Sequence, residues 1–137
     1  IKEPRDYNAN ALTGPISTAD TRKATNYLDF AASITSKYAV DELLVGGTSS
    51  AQAYVVEIDE SNGYIHYHQN AKTGYADFQG GETVTGQTSG DAVALEATPV
   101  GNPEVDRASG EVLFLENRDP INRTTTQIED IKVILEF

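Results

Sequence analysis

The chain has 137 residues, with no cysteine, methionine or tryptophan, and 21 acidic residues stand against 10 basic ones for a formal net charge of −11. This composition excludes a disulfide framework, a thiolate metal site and a cysteine nucleophile, and its field repels phosphate backbones, which bind proteins through lysine and arginine. No apolar run approaches the ~20 residues that cross a bilayer, so neither nucleic acid nor membrane is an expected partner.

The length suits a single β-rich domain, 1–137, able to bury roughly two-thirds of its unfolded surface. The start at Ile1 without any methionine predicts a piece or processed product of a longer protein. An acidic surface confers solubility or meets a basic partner in an assembly.

In chain order, the first predicted element is one short helix over residues 18–27. Ser17 or Thr18 caps it after Pro15, and Ala19, Asp20 and Ala24 tolerate its geometry. It grades into an alternating strand, residues 26–30, that opens an internal repeat. Residues 38–50 align without a gap on residues 78–90: Tyr38 on Phe78, Glu42 on Glu82, Gly46 on Gly86, Thr48 on Thr88 and Ser49 on Ser89. Alternating segments precede the copies (26–30 and 64–68) and follow them (53–58 and 92–97). The pattern in each copy is strand, loop, short strand, glycine turn, strand. Two copies are too few for a solenoid, so a tandem module over 26–100 is expected to complete one antiparallel β-sandwich or partly open barrel. Gly46 and Gly86 are expected to supply backbone angles that other residues resist, with each Thr-Ser pair bonding its own turn. A phosphate cradle is excluded because the lysine and helix of a P-loop are missing.

Between the copies, Asn62-Gly63 marks a hairpin turn after Asp59. The glycine comes one place too early for an EF-hand, and no glutamate follows at the twelfth position. His66 and His68 lie two apart on a strand and share a face, but two ligands do not make a metal site. They are expected on an exposed polar face. Gly101-Asn-Pro103 marks the boundary with a C-terminal β-hairpin, 104–137. Its first strand starts at Ser109, and its second places Ile131, Val133, Leu135 and Phe137 on one face, opposite Lys132 and Glu136. Its charged turn, Glu116, Asn117, Arg118, Asp119, Pro120, Ile121, Asn122 and Arg123, is the candidate assembly interface. Arg118 and Arg123 present planar forks suited to carboxylates, within the chain or on a neighbour.

Catalysis finds little support. Glu57 with Asp59 and Glu129 with Asp130 are near in sequence, but neither pair stands out among 21 acids, and strand neighbours face opposite ways. Ser49, Ser50 and Ser89 lie in turns without a Gly-x-Ser-x-Gly elbow. Asn122-Arg-Thr124 fits the glycosylation pattern by chance. The expectation is a non-catalytic protein with no cofactor and no metal.

The C-terminal stretch resembles the baseplate wedge subunit encoded by gene eight of T4-like contractile-tailed phages. The matching pattern is Ser109-Gly-Glu111, an apolar run, Glu116-Asn-Arg118, Pro120-Ile121, then Gln127, Glu129, Asp130, Ile131 and a strand ending at Phe137. The opening Ile1-Lys-Glu-Pro4 resembles an Ile-x-x-Pro earlier in that family. Residues 6–103 do not match the T4 subunit, and resemble repeats in baseplate proteins of T4-like phages of marine cyanobacteria. The resemblance implies a virion structural protein of the contractile tail baseplate, assembled in the host cytoplasm, with a β-sandwich fold, other wedge proteins as partners and homodimerisation. A carbohydrate or host-receptor binding module is the alternative, served by tyrosines 38, 54, 64, 67 and 75 if they line an exposed groove.

Overall fold

The computed structural model describes residues 2–7 and 14–113. Eight strands occur among them: β1 (Arg5–Asp6), β2 (Tyr27–Phe30), β3 (Leu43–Gly46), β4 (Gln52–Asp59), β5 (Tyr64–His68), β6 (Thr83–Gly86), β7 (Ala92–Gly101) and β8 (Val105–Asp106). Strands β2 to β7 close an antiparallel barrel in the order β2-β5-β4-β3-β6-β7, and β1 pairs with β8 in a separate ribbon. The protein is therefore mainly β, and of the two architectures expected it adopts the barrel, fully closed by pairing of β7 with β2.

Residues 18–27 do not form the expected helix. The Thr18 hydroxyl accepts the Asp20 N–H at 3.3 Å, and the Thr21 hydroxyl accepts the Thr18 N–H at 3.0 Å. Threonines that bond nearby backbone in this way compete with the helix ladder. They close a single turn here, and the chain then runs into β2.

The two repeat copies are the hairpins β3–β4 and β6–β7, and β3 pairs with β6 where they meet. Exchanging β2 with β5, β3 with β6 and β4 with β7 returns the same cyclic strand order, so the barrel has an internal two-fold. Even the irregularities obey it. A register shift on β4 beside β5 at Val56 corresponds to one on β7 beside β2 between Leu95 and Val100. Such bulges bend strands and help a small barrel to close.

Alternate residues point inward, and the fully buried side chains Leu28, Ile34, Leu44, Val55, Ile65 and Val84 fill the interior with Leu95. Each stabilises the fold by about 1.5–3 kcal/mol. Equivalent positions differ in size: Leu44 matches Val84, Ala53 matches Val93 and Val55 matches Leu95. Tyr38 of the first copy packs its ring 5.5 Å from Phe30 and donates its hydroxyl to the Val84 carbonyl at 2.8 Å. Burial pushes this hydroxyl up to about 12.

Outside the barrel, the entering and leaving chain segments run together. Arg5 pairs with Asp106, and Lys2 and Glu111 exchange backbone hydrogen bonds at 2.8 and 2.9 Å. The Arg5 N–H donates to the Ser109 hydroxyl at 2.8 Å. Lys23 ties this stem to the barrel: its N–H donates to the Glu104 carboxylate at 3.0 Å, and its carbonyl accepts the Glu104 N–H at 2.8 Å. Most of the expected C-terminal hairpin lies outside the described residues.

Two buried glutamates lock the copies to each other. Glu42 belongs to the first copy, yet its carboxylate accepts the N–H groups of Thr88 and Ser89 in the second at 2.8 and 2.6 Å, and that of Ala39 at 3.0 Å. Glu82 does the converse. It accepts the N–H groups of Thr48 and Ser49 at 2.9 and 2.8 Å, the Ser49 hydroxyl at 2.7 Å and the Gln79 N–H at 2.7 Å. Burial raises each carboxyl, but these donors outweigh it, and both groups lie below their ordinary 4.5.

The crossed arrangement explains Gly46 and Gly86 differently from the expectation. Neither has a positive φ. An added Cβ on Gly46 would sit 2.7 Å from Glu82 Oε1, and one on Gly86 would overlap the Glu42 carboxylate. Glycine is required there for space. The left-handed positions come at the ends of the turns, Ser50 (φ 58°) and Gly90 (φ 76°). As expected, Ser49 and Ser89 bond their own turns, accepting the N–H groups of Ala51 and Asp91 at 3.1 and 3.2 Å.

Glu42→Gln or Glu82→Gln should each lower stability near neutral pH by about 1–3 kcal/mol, because the amide nitrogen turns a donor toward partly buried N–H groups. A carboxyl with a depressed folded pKa contributes stability that is complete above its unfolded value and lost as pH falls through the folded one. The melting temperature of the parent should thus drop steeply below about pH 4.5, and that of the double variant should drop less. Ser50→Gly should raise the denaturation midpoint, relieving left-handed strain for a net gain of about 0.5 kcal/mol.

Candidate functional site

The outer face of β4, β5 and β2 carries a cluster of aromatic rings. On β5, Ile65 and Tyr67 turn toward the core, which leaves Tyr64, His66 and His68 on the outside by the two-residue alternation of a strand. Cross-strand pairing then sets three rows. Tyr54 lies opposite His68, Glu57 and Tyr27 flank His66, and Asp59 and Asp29 flank Tyr64. Tyr54 stacks on His68 with centroids 5.5 Å apart, and Tyr27 lies 4.3 Å from Tyr64 and 5.6 Å from His66.

One end of this face is acidic. Asp59, Asp29, Glu57 and Glu104 surround Tyr64, with Lys23 among them, its ammonium 2.9 Å from Glu57. That contact raises the Lys23 pKa. Hydrogen bonds from the Ser61 hydroxyl at 2.6 Å and the Asn62 amide at 2.7 Å lower Asp59 to about 2 and make it the brace of the hairpin turn. Burial raises Asp29 and Tyr27. A hollow of about 320 Å³ opens here between Tyr27, Tyr64, His66 and Pro103.

The opposite end is different in charge. A hollow of about 230 Å³ is lined by Asn26, Tyr67, His68, Gln69, Tyr75 and Arg107, and one of about 430 Å³ by Tyr54, His68, Asn70 and Lys72. His68 is common to both. No carboxylate lines either. Tyr75 is 73% exposed, the most exposed large apolar side chain among the described residues.

The structure separates the residues singled out in the sequence. The histidines do share a face, but only His68 is exposed. His66 is 5% exposed, because Thr25 folds over it with a 3.2 Å contact from its hydroxyl to Nδ1 and Tyr27 packs against its ring. Of the five tyrosines, Tyr38 belongs to the core and Tyr67 packs edge-on against Phe78, while Tyr54, Tyr64 and Tyr75 remain on the surface side. Glu57 and Asp59 are engaged by Lys23 and by the turn. Among the described residues, no three histidine, aspartate or glutamate side chains gather to hold a metal. Glu129, Asp130 and the candidate interface, residues 116–123, lie outside the described residues. Arg107 and Lys72 were not anticipated, since neither sits in a motif and only the closed fold brings them beside His68.

Compared with known proteins, the chain matches no family model, no curated protein and no solved structure.

The aromatic face depends on Gly101, where an added Cβ would overlap the Tyr27 ring. Gly101→Ala should destabilise the protein by about 1–3 kcal/mol through overpacking and change the near-ultraviolet tyrosine circular dichroism. Combined with Tyr27→Ala, the loss should be less than the sum of the single variants by about 1 kcal/mol.

Proposed function

We propose that this chain is a non-catalytic structural component of a phage tail baseplate, a wedge subunit that holds its neighbours in fixed geometry. The observation that supports this reading most directly is the stem. The described parts of the two stretches that resemble the T4-like wedge subunit, from Lys2 after the start of Ile1-Lys-Glu-Pro4 and from Ser109 at the opening of Ser109-Gly-Glu111, lie side by side, joined by the reciprocal Lys2–Glu111 hydrogen bonds and by Arg5 on Ser109. The two resembling ends frame the barrel, which is carried between them as a module. A module attached through two neighbouring antiparallel segments can be added to a body without disturbing it, because insertions are best tolerated where the two flanking segments are already close.

In this reading the barrel contributes rigidity and an acidic outer surface, and residues 116–123 make the contact with other wedge proteins or a second copy of the chain. Such contacts bury on the order of 1,000 Å² or more when stable, and they suit a fold whose two halves are locked by Glu42 and Glu82.

Mixing the chain with purified wedge proteins of a T4-like phage should produce a complex of defined mass by light scattering. The double substitution Arg118→Glu with Arg123→Glu should abolish it without changing the melting temperature. Association with none of the wedge proteins would overturn the assignment.

A further inference from the structure

The groove that crosses His68 has a composition at odds with the rest of the molecule. In a chain with 21 acidic and 10 basic residues, its lining contains no carboxylate and includes Arg107 and Lys72. Among the described residues neither cation forms an ion pair. Arg107 makes one long hydrogen bond, 3.3 Å to the Asn26 side chain.

The remaining lining alternates rings with amides. Tyr54 and His68 stack, Tyr67 forms part of the floor, and Tyr75 stands almost fully in solvent at one rim. Side-chain amides come from Asn26, Gln69 and Asn70. Gln69 is held in place, its amide donating to the carbonyls of Gln52 at 3.0 Å and Ala76 at 2.8 Å, which leaves its own oxygen as an acceptor. Asn70 is likewise fixed by its turn, accepting the Lys72 N–H at 2.8 Å. The larger hollow, about 430 Å³, falls in the range of small-molecule sites, about 300–1,000 Å³, and the one beside Arg107 adds about 230 Å³ across His68.

Sugars present flat faces of C–H groups edged by hydroxyls. Rings beside fixed amides complement both features, since an aromatic side chain offers an apolar body and the amides offer donors and acceptors in known positions. Arg107 and Lys72, without an ion pair among the described residues, add a preference for negative charge even though Asp77 acts on Tyr67 nearby, because a planar guanidinium takes a carboxylate in a two-point contact. We infer that the groove between Tyr75 and Lys72, centred on His68 and Arg107, is a binding site for an acidic, carboxylate-bearing glycan. The inference is separate from the assembly role: Arg107 is contributed by the stem beside Asp106 and the other lining residues by the barrel and its loops, whereas residues 116–123 serve assembly.

The test uses the whole chain. Its seven tyrosines and lack of tryptophan make intrinsic tyrosine fluorescence a direct probe. Oligogalacturonate should bind, more weakly as salt is raised, and Tyr75→Ala and Arg107→Gln should each reduce affinity by about tenfold with unchanged melting temperature and unchanged association with wedge proteins. Neutral maltooligosaccharides should bind at least about tenfold more weakly. Failure of oligogalacturonate to bind, equal binding by the two variants, or equal binding of maltooligosaccharides would overturn the inference. Equal binding of polyglutamate would also overturn it, by showing that the groove reads acidic peptides through charge alone.

Discussion

Two carboxylates exchanged between the halves of the barrel hold the structure together. Glu42 reaches the Thr88–Ser89 turn, and Glu82 reaches the Thr48–Ser49 turn, so neither hairpin has its turn satisfied without the other. These N–H groups are partly buried, and one left without an acceptor costs about 1 kcal/mol or more. That constraint makes the repeat a reciprocal pair, in which each half caps its partner. It also dictates composition nearby: the carboxylates approach the backbone so closely at Gly46 and Gly86 that no side chain fits there.

The two-fold relation holds in the strand order and relaxes in the core. Strand order, the bulges on β4 and β7 and the left-handed turn ends at Ser50 and Gly90 all correspond. Side chains at matched core positions do not. A larger residue in one copy corresponds to a smaller one in the other, as with Leu44 and Val84, and Leu95 and Val55. A narrow barrel must be filled without voids, and unequal partners interlock across a shared interior more readily than two identical layers.

Asymmetry also separates the outer surfaces. The β4–β5–β2 face carries its rings because β5 reads Tyr64-Ile-His-Tyr-His68, while the equivalent strand β2 reads Tyr27-Leu-Asp-Phe30. The stem covers one end of the face through Lys23 and Glu104 and gathers acidic groups around Tyr64. The other end, beyond His68, stays open and carries Arg107 and Lys72.

Much of this was legible in the residues themselves. The strand at residues 64–68, the turn at Asn62-Gly63 and the copies at 38–50 and 78–90 were readable from the sequence because alternation and turn chemistry act between neighbours. The same local reasoning favoured a helix at 18–27 and missed how Thr18 and Thr21 close a turn with their own backbone. Glu42 and Glu82 were visible as matched positions, but nothing local revealed that they were buried, since their partners lie 33 to 47 residues away. The covering of His66 by Thr25, the sorting of the tyrosines between core and surface, and the meeting of Arg107 with His68 were likewise decided by tertiary structure. Each depends on contacts between distant parts of the chain, as the pairing of β2 with β5 brings Thr25 and Tyr27 to His66. The sequence by itself determined which segments would be strands, while the closed barrel decided which side chains share an environment.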